Sequence, residues 1–192
     1  MANQNTFKQA PLPFIGQKRM FLKHFETVLN ENIKGDGEGW TIIDTFGGSG
    51  LLSHTAKRLK PKASVIYNDF DGYAERLAYI NDTNALRTQI FAKIGNATPK
   101  NKRLPKSLKA EIIKIIDQFK GYKDLNCLTS WLLFSGQQVS SLDELYKKDF
   151  WHCIRQSDYP KADVVHLTLF VQTLEVHQEK VPHLLLRIFR QV

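Results

Sequence analysis

Cysteine is scarce in this chain: Cys127 and Cys153 are the only two among 192 residues. Two thiols so far apart make neither a metal knuckle nor a disulfide scaffold. They read as reduced thiols in a cytoplasmic protein, serving as small core hydrophobes. Long apolar runs are missing too. No stretch approaches the roughly 18 residues that a membrane span needs. The opening MANQNTFKQAPLPF is polar where a secretory leader would be apolar. The histidines, His24, His54, His152, His166, His177 and His183, show neither H-x-x-x-H nor H-E-x-x-H spacing, so no metal site is expected. There is no G-x-x-x-x-G-K-[ST] loop, which argues against a nucleoside triphosphate site. Ser49 stands in G-G-S-G rather than G-x-S-x-G, which argues against a hydrolase elbow. Repeats and low-complexity tracts are absent.

What is present is an ordinary globular composition with an excess of base. Lys and Arg exceed Asp and Glu by eight, and such a chain is drawn to polyanions. The length fits one domain, with room for a smaller inserted lobe. After a loop holding Pro11 and Pro13, QKRMFLKHFETVLNENI places Met20, Phe21, Phe25, Val28 and Leu29 at helical spacing. KGDGEG breaks it. WTIIDTF reads as a buried strand and GGSG as a tight turn. LLSHTAKRLK reads as a helix with Leu51, Leu52, Thr55 and Leu59 on one side, ended by Pro61. ASVIYND is a second strand. A long helix is expected from about Tyr73, carrying Leu77, Ile80, Leu86, Ile90 and Ile94 and stopping at Gly95. Strand, glycine turn, helix, strand, helix is the first half of a parallel α/β sheet. Beyond it, LKAEIIKIIDQF is amphipathic, with Leu108, Ile112, Ile115, Ile116 and Phe119 inward. LNCLTSWLLFSGQQ is apolar, and Trp131 to Phe134 are expected in the core. Ser141 and Glu144 form a capping box.

The glycine turn points to a ligand. Stripped of side chains, it lets a ligand approach the backbone, and the helix after it offers free amides. Asp69, about 20 residues beyond the glycines, stands where such units hydrogen-bond a ribose. An adenosine-containing cofactor at the carboxyl ends of adjacent strands follows. Phe46-Gly47-Gly48-Ser49-Gly50 lacks the third glycine of the dinucleotide fingerprint, so a pyrophosphate is disfavoured. S-adenosyl-L-methionine carries no phosphate, and Asp44 is placed to take its ammonium. The same residues also fit a plain strand-to-helix turn with surface acids.

Three stretches then show a family resemblance. PLPFIGQKRMFL resembles the P-F-x-G-x-K motif of the Dam-like DNA adenine methyltransferases. DTFGGSG resembles their D-x-F-x-G-S-G turn, and VIYNDFD their acidic strand end. Together they cover about the first 85 residues. NKRLP, WLLFSGQQ and RQSDYPKAD are similar to the phage-type branch. The resemblance implies a Rossmann-like, AdoMet-dependent α/β fold. In it Phe14, Gly16 and Lys18 would line the methionine end of S-adenosyl-L-methionine. Asp44, Phe46, Gly48 and Gly50 would form the turn, and Asp69 would bind the ribose. The substrate implied is adenine in double-stranded DNA, methylated on its 6-amino group.

One departure is large. The family works through a D-P-P-Y-like tetrapeptide, whose acid and carbonyl accept the amino hydrogens while the aromatic ring stacks on a flipped base. No [DNS]-P-P-[YFW] occurs in the chain, and SDYPKAD has Asp158, Tyr159 and Pro160 in the wrong order. No catalytic residue is therefore assigned, and the chain alone is expected to be inactive. It would be a truncated enzyme, half of a split enzyme whose second polypeptide carries the motif, or a binding remnant. For DNA phosphates the candidates are Lys102 and Arg103 in the basic loop TPKNKRLPKSLK, and Arg155 beyond it. The expected organisation is an AdoMet-binding half over residues 1–95, a helical, basic recognition region over 96–163, and an atypical tail over 164–192.

Overall fold

The computed structural model describes residues 10–95 and 97–160. The tail expected at 164–192 lies outside the described residues. A short 3-10 helix, Lys18–Phe21, runs into α1, Leu22–Asn32. Then follow β1, Thr41–Asp44, α2, Leu51–Leu59, and β2, Ser64–Tyr67. Five helices complete the order: α3, Tyr73–Ala78, α4, Ile80–Ile94, α5, Lys106–Gln118, α6, Leu125–Leu132, and α7, Leu142–Lys147. The strands pair in parallel, Thr41 opposite Ser64 and Asp44 opposite Tyr67, with α2 as the crossover. The expected strand–turn–helix–strand–helix order is present.

Two apolar clusters hold the chain. The smaller joins α1, α2 and the sheet through Leu29, Ile33, Ala56 and Val65. The larger runs through α3 to α7 and includes Leu77, Leu86, Ile90, Ile94, Ile112 and Trp131. Leu77, Ile80, Leu86, Ile90 and Ile94 all lie inside it, as their spacing predicts. The segments after α4 are tied together by short pairings. Arg103 and Trp151 form an antiparallel bridge, and the amides of Asn101 and Leu104 donate to the carbonyls of His152 and Phe150. The basic loop is thereby fastened to the 150–152 segment.

Met20, Phe21 and Val28 recur at helical spacing but do not face the core; Met20 is 83% exposed. Helical period marks a stripe, not what covers it. Several expectations are corrected. β1 is half-buried rather than buried, because among the described residues it has only β2 beside it. The single helix expected from Tyr73 is two helices that break at Tyr79, whose ψ of 23° departs from helix. Leu52 is half-buried, and Ser53 and Ala56 take the inner face of α2 instead. Phe134 is exposed and stacks at a tilt on Trp151. The capping box is half formed. Ser141 Oγ accepts from Glu144 N, but the Glu144 carboxylate turns to Ser140 N and Oγ. Among the described residues, no helix is long and apolar enough to cross a membrane.

Candidate functional site

The glycine turn sits where β1 gives way to α2. Two close approaches require it. A Cβ on Gly47 would lie 2.1 Å from Tyr67 Cε2, so only glycine lets the β2 tyrosine slide beneath the turn. Gly48 has φ of +53°, and a Cβ there would meet the Phe14 ring at 3.0 Å. The loop before α1 is thus folded over the turn. Phe14 is fixed from behind by an edge-on contact with Tyr73, ring centroids 5.5 Å apart.

Between these pieces lies a cavity of about 690 Å³. Its walls include Phe14, Lys18, Phe46, Gly48, Asn68 and Phe70. Binding pockets for small organic ligands run from ~300 to ~1,000 Å³, so the size suits a nucleoside. It lies at the junction of the sheet and the helical part, since Asn126 and Gln138 also reach it. Phe46 and Phe70 are 79% and 89% exposed there. Two phenylalanine rings left in solvent at one cavity mouth are apolar surface awaiting a partner face.

Of the residues singled out from sequence, Phe14, Gly16, Lys18, Phe46 and Gly48 line this cavity, while Asp44, Gly50 and Asp69 do not. Asp44 is largely buried and accepts from Ser53 Oγ at 2.7 Å. Lys18 Nζ lies 3.8 Å from the same carboxylate and donates to the carbonyl of Phe46. The acid thus steadies the lysine against the turn. Gly50 stands at the start of α2 in a left-handed conformation. Asp69 is heavily engaged. Its Oδ1 accepts from Tyr73 N at 2.7 Å, its Oδ2 from Ala74 N at 2.8 Å, and Tyr67 Oη is 2.9 Å from Oδ1. The two amides are orphan donors of the first turn of α3. Tyr67 Oη also lies 2.5 Å from the Gly48 carbonyl, so one phenol joins the turn to the acid. Burial, reinforced by the Asp69 charge, pushes that phenol far up, and it remains a neutral donor.

Sequence reasoning missed Asn68, Phe70, Asp71, Asn126 and Gln138. The first three follow β2 directly, and the rule that ligands sit beyond the carboxyl ends of parallel strands points to them. Asn126 arrives from α6 and Gln138 from the loop after it, and they leave no local pattern. Asp71 is exposed and lines the cavity.

The candidates for phosphate contact are spread out. Lys102 is exposed on the fastened basic loop. Arg103 is exposed but ion-paired with Asp149. Arg155 is half-buried and lines a second cavity.

Over 163 residues the chain is 72% identical to a protein of Haemophilus influenzae named "Putative methyltransferase"; the match takes in 85% of this chain and 55% of that protein. The chain therefore spans just over half the length of this relative. No protein-family model matches the chain, and no solved structure does.

Proposed function

We propose that the chain carries the cofactor site of an S-adenosyl-L-methionine-dependent methyltransferase, and that the lineage methylates the 6-amino group of adenine in double-stranded DNA. The observation that carries this reading is the cavity itself, where the glycine turn, the Phe14–Lys18 loop and the end of β2 converge on a nucleoside-sized space. The name of the Haemophilus influenzae relative supports methyl transfer. The resemblance of PLPFIGQKRMFL, DTFGGSG and VIYNDFD to the Dam-like family supports the finer substrate.

The residues present fit the cofactor. Gly47 and Gly48 leave backbone bare where a Cβ would intrude. Lys18 suits the cofactor's carboxylate. Phe46 and Phe70 offer faces for the adenine. Asp69 keeps one free acceptor position beside its three contacts, and Asp71 keeps both oxygens; both are candidates for the ribose hydroxyls. When bound, S-adenosyl-L-methionine supplies an electrophilic methyl on its sulfonium. The chain's own residues bind and orient it. Because the 192 residues contain no [DNS]-P-P-[YFW], nothing here is assigned to hold the adenine amino group, and we propose that the chain alone binds without transferring.

Calorimetry with S-adenosyl-L-methionine tests the site. Saturable binding is expected, with none for NADH. Asp71→Asn and Lys18→Gln should each weaken it roughly tenfold, the loss of about 1.4 kcal/mol that one charge-assisted hydrogen bond carries. Absence of heat with the methyl donor, or tighter binding of NADH, removes the reading. Incubation with radiolabelled donor and adenine-rich duplex should leave the DNA unlabelled; label in the DNA disproves the proposed inactivity.

A further inference from the structure

Phe14, which lines the glycine-turn cavity, also lines a second one, of about 650 Å³. Its polar wall consists of Gln17, Arg19, Ser130, Arg155, Ser157 and Tyr159, and among the described residues no aspartate or glutamate lines it. The arginines are distributed in a telling way. Among the described residues, Arg58 pairs with Glu26, Arg76 with Asp124, Arg87 with Asp158 and Arg103 with Asp149. Only Arg19 and Arg155 have no carboxylate partner among the described residues, and both face this cavity.

Arg155 is built in rather than loose. Its guanidinium lies 4.4 Å over the Tyr159 ring, and one Nη donates to Ser157 Oγ at 2.9 Å. Its Nε is buried and has no hydrogen-bond partner among the described residues. Arg87, from α4, donates to the carbonyls of Arg155 and Gln156 and so fixes the backbone that carries this fork. A buried donor without an acceptor is destabilising, and Arg155 as a whole is half-buried and lines the cavity. A planar fork of guanidinium donors with hydroxyls nearby matches the oxygens of a phosphate.

We propose that this cavity binds a phosphate-class oxyanion between Arg19 and Arg155, and that the anion is a backbone phosphodiester of the DNA strand. The second half rests on the DNA-methylating reading of the neighbouring cavity. Lys18 and Arg19 are consecutive residues, one on each cavity. A strand held at Arg19 therefore runs beside the methyl donor's site.

Two measurements separate the halves. In the first, the full chain is titrated with inorganic phosphate at constant ionic strength, with chloride as reference, and followed by phosphorus NMR line width. Saturable binding is expected for the parent and none for Arg19→Gln/Arg155→Gln. Arg155→Lys, which keeps the charge and loses the fork, should bind more weakly. An absence of saturable binding to the parent, or equal binding to a double variant whose circular dichroism is unchanged, overturns the site. In the second, anisotropy of a labelled duplex is followed through a salt series. The log–log slope should fall by about one in the double variant, the loss of one phosphate contact. An unchanged slope overturns the phosphodiester assignment. If the parent binds no duplex at all, the DNA reading fails, while the phosphate titration still decides the cavity.

Discussion

Tyr67 is the residue on which the two sides of the glycine-turn cavity depend. Its ring fills the space that a Cβ on Gly47 would take, and its hydroxyl joins the Gly48 carbonyl to Asp69. At 3% exposure it has nowhere to swing. Gly47→Ala should therefore lose about 1–3 kcal/mol to overpacking, read as a lowered urea midpoint. An alanine variant as stable as the parent would show that the turn has slack. Asp69 was legible in the sequence by its distance from the glycines, but its hydrogen bonds were not. Spacing places an acid at a strand end; only the bend at Gly72 brings the amides of Tyr73 and Ala74 onto it. The same limit explains Asp44, which stands one residue before the turn yet points back to Ser53.

At the scale of elements, α4 and α5 were the most readable. Their apolar residues recur every three or four positions, and both neighbours that bury them lie in the same chain segment. β1 was misread because the three β-branched residues Thr41, Ile42 and Ile43 do not report how many strands flank them. The outward Met20, Phe21 and Val28 carry the same lesson for a helix. No pattern announced the clamp between α4 and residues 155–159. There Asn84 exchanges two hydrogen bonds with the Tyr159 backbone, and the Arg87 fork spans Asp158 and two carbonyls. The pair is asymmetric: Arg87 is 6% exposed and Asp158 is 62%. Asp158→Asn loses a solvated ion pair, worth at most about 1 kcal/mol. Arg87→Ala removes a buried guanidinium fork and its bonds to the Arg155 and Gln156 carbonyls, at about 1–3 kcal/mol in all. Urea unfolding should rank the two variants in that order, and equal losses would mean that the ion pair, not the carbonyls, holds the clamp.

For the whole molecule the sharpest expectation concerns alkaline pH. Burial pushes the phenols of Tyr67, Tyr73 and Tyr159 and the thiol of Cys127 well above their ordinary values. On unfolding these groups return to about 10 for tyrosine and about 8.5 for cysteine. Their folded values are raised, so above those figures the native state binds more protons than the unfolded one. Stability is then fully present below about pH 8.5 and falls as pH rises, by up to about 1.4 kcal/mol per pH unit for each group. The net charge of +8 acts in the opposite direction, since deprotonation relieves repulsion. That relief is spread over exposed lysines and is screened beyond about 8 Å at physiological salt, whereas the buried hydroxyls and thiol are not. The local effect should win. Urea midpoints taken at about pH 8, 9.3 and 10.5 should decline throughout, and Cys127→Ala should make the decline shallower below about pH 10, where the half-buried Cys153 thiol, also pushed up by burial, still contributes before tyrosine does. A midpoint that holds or rises across this range would mean that surface repulsion outweighs the buried phenols.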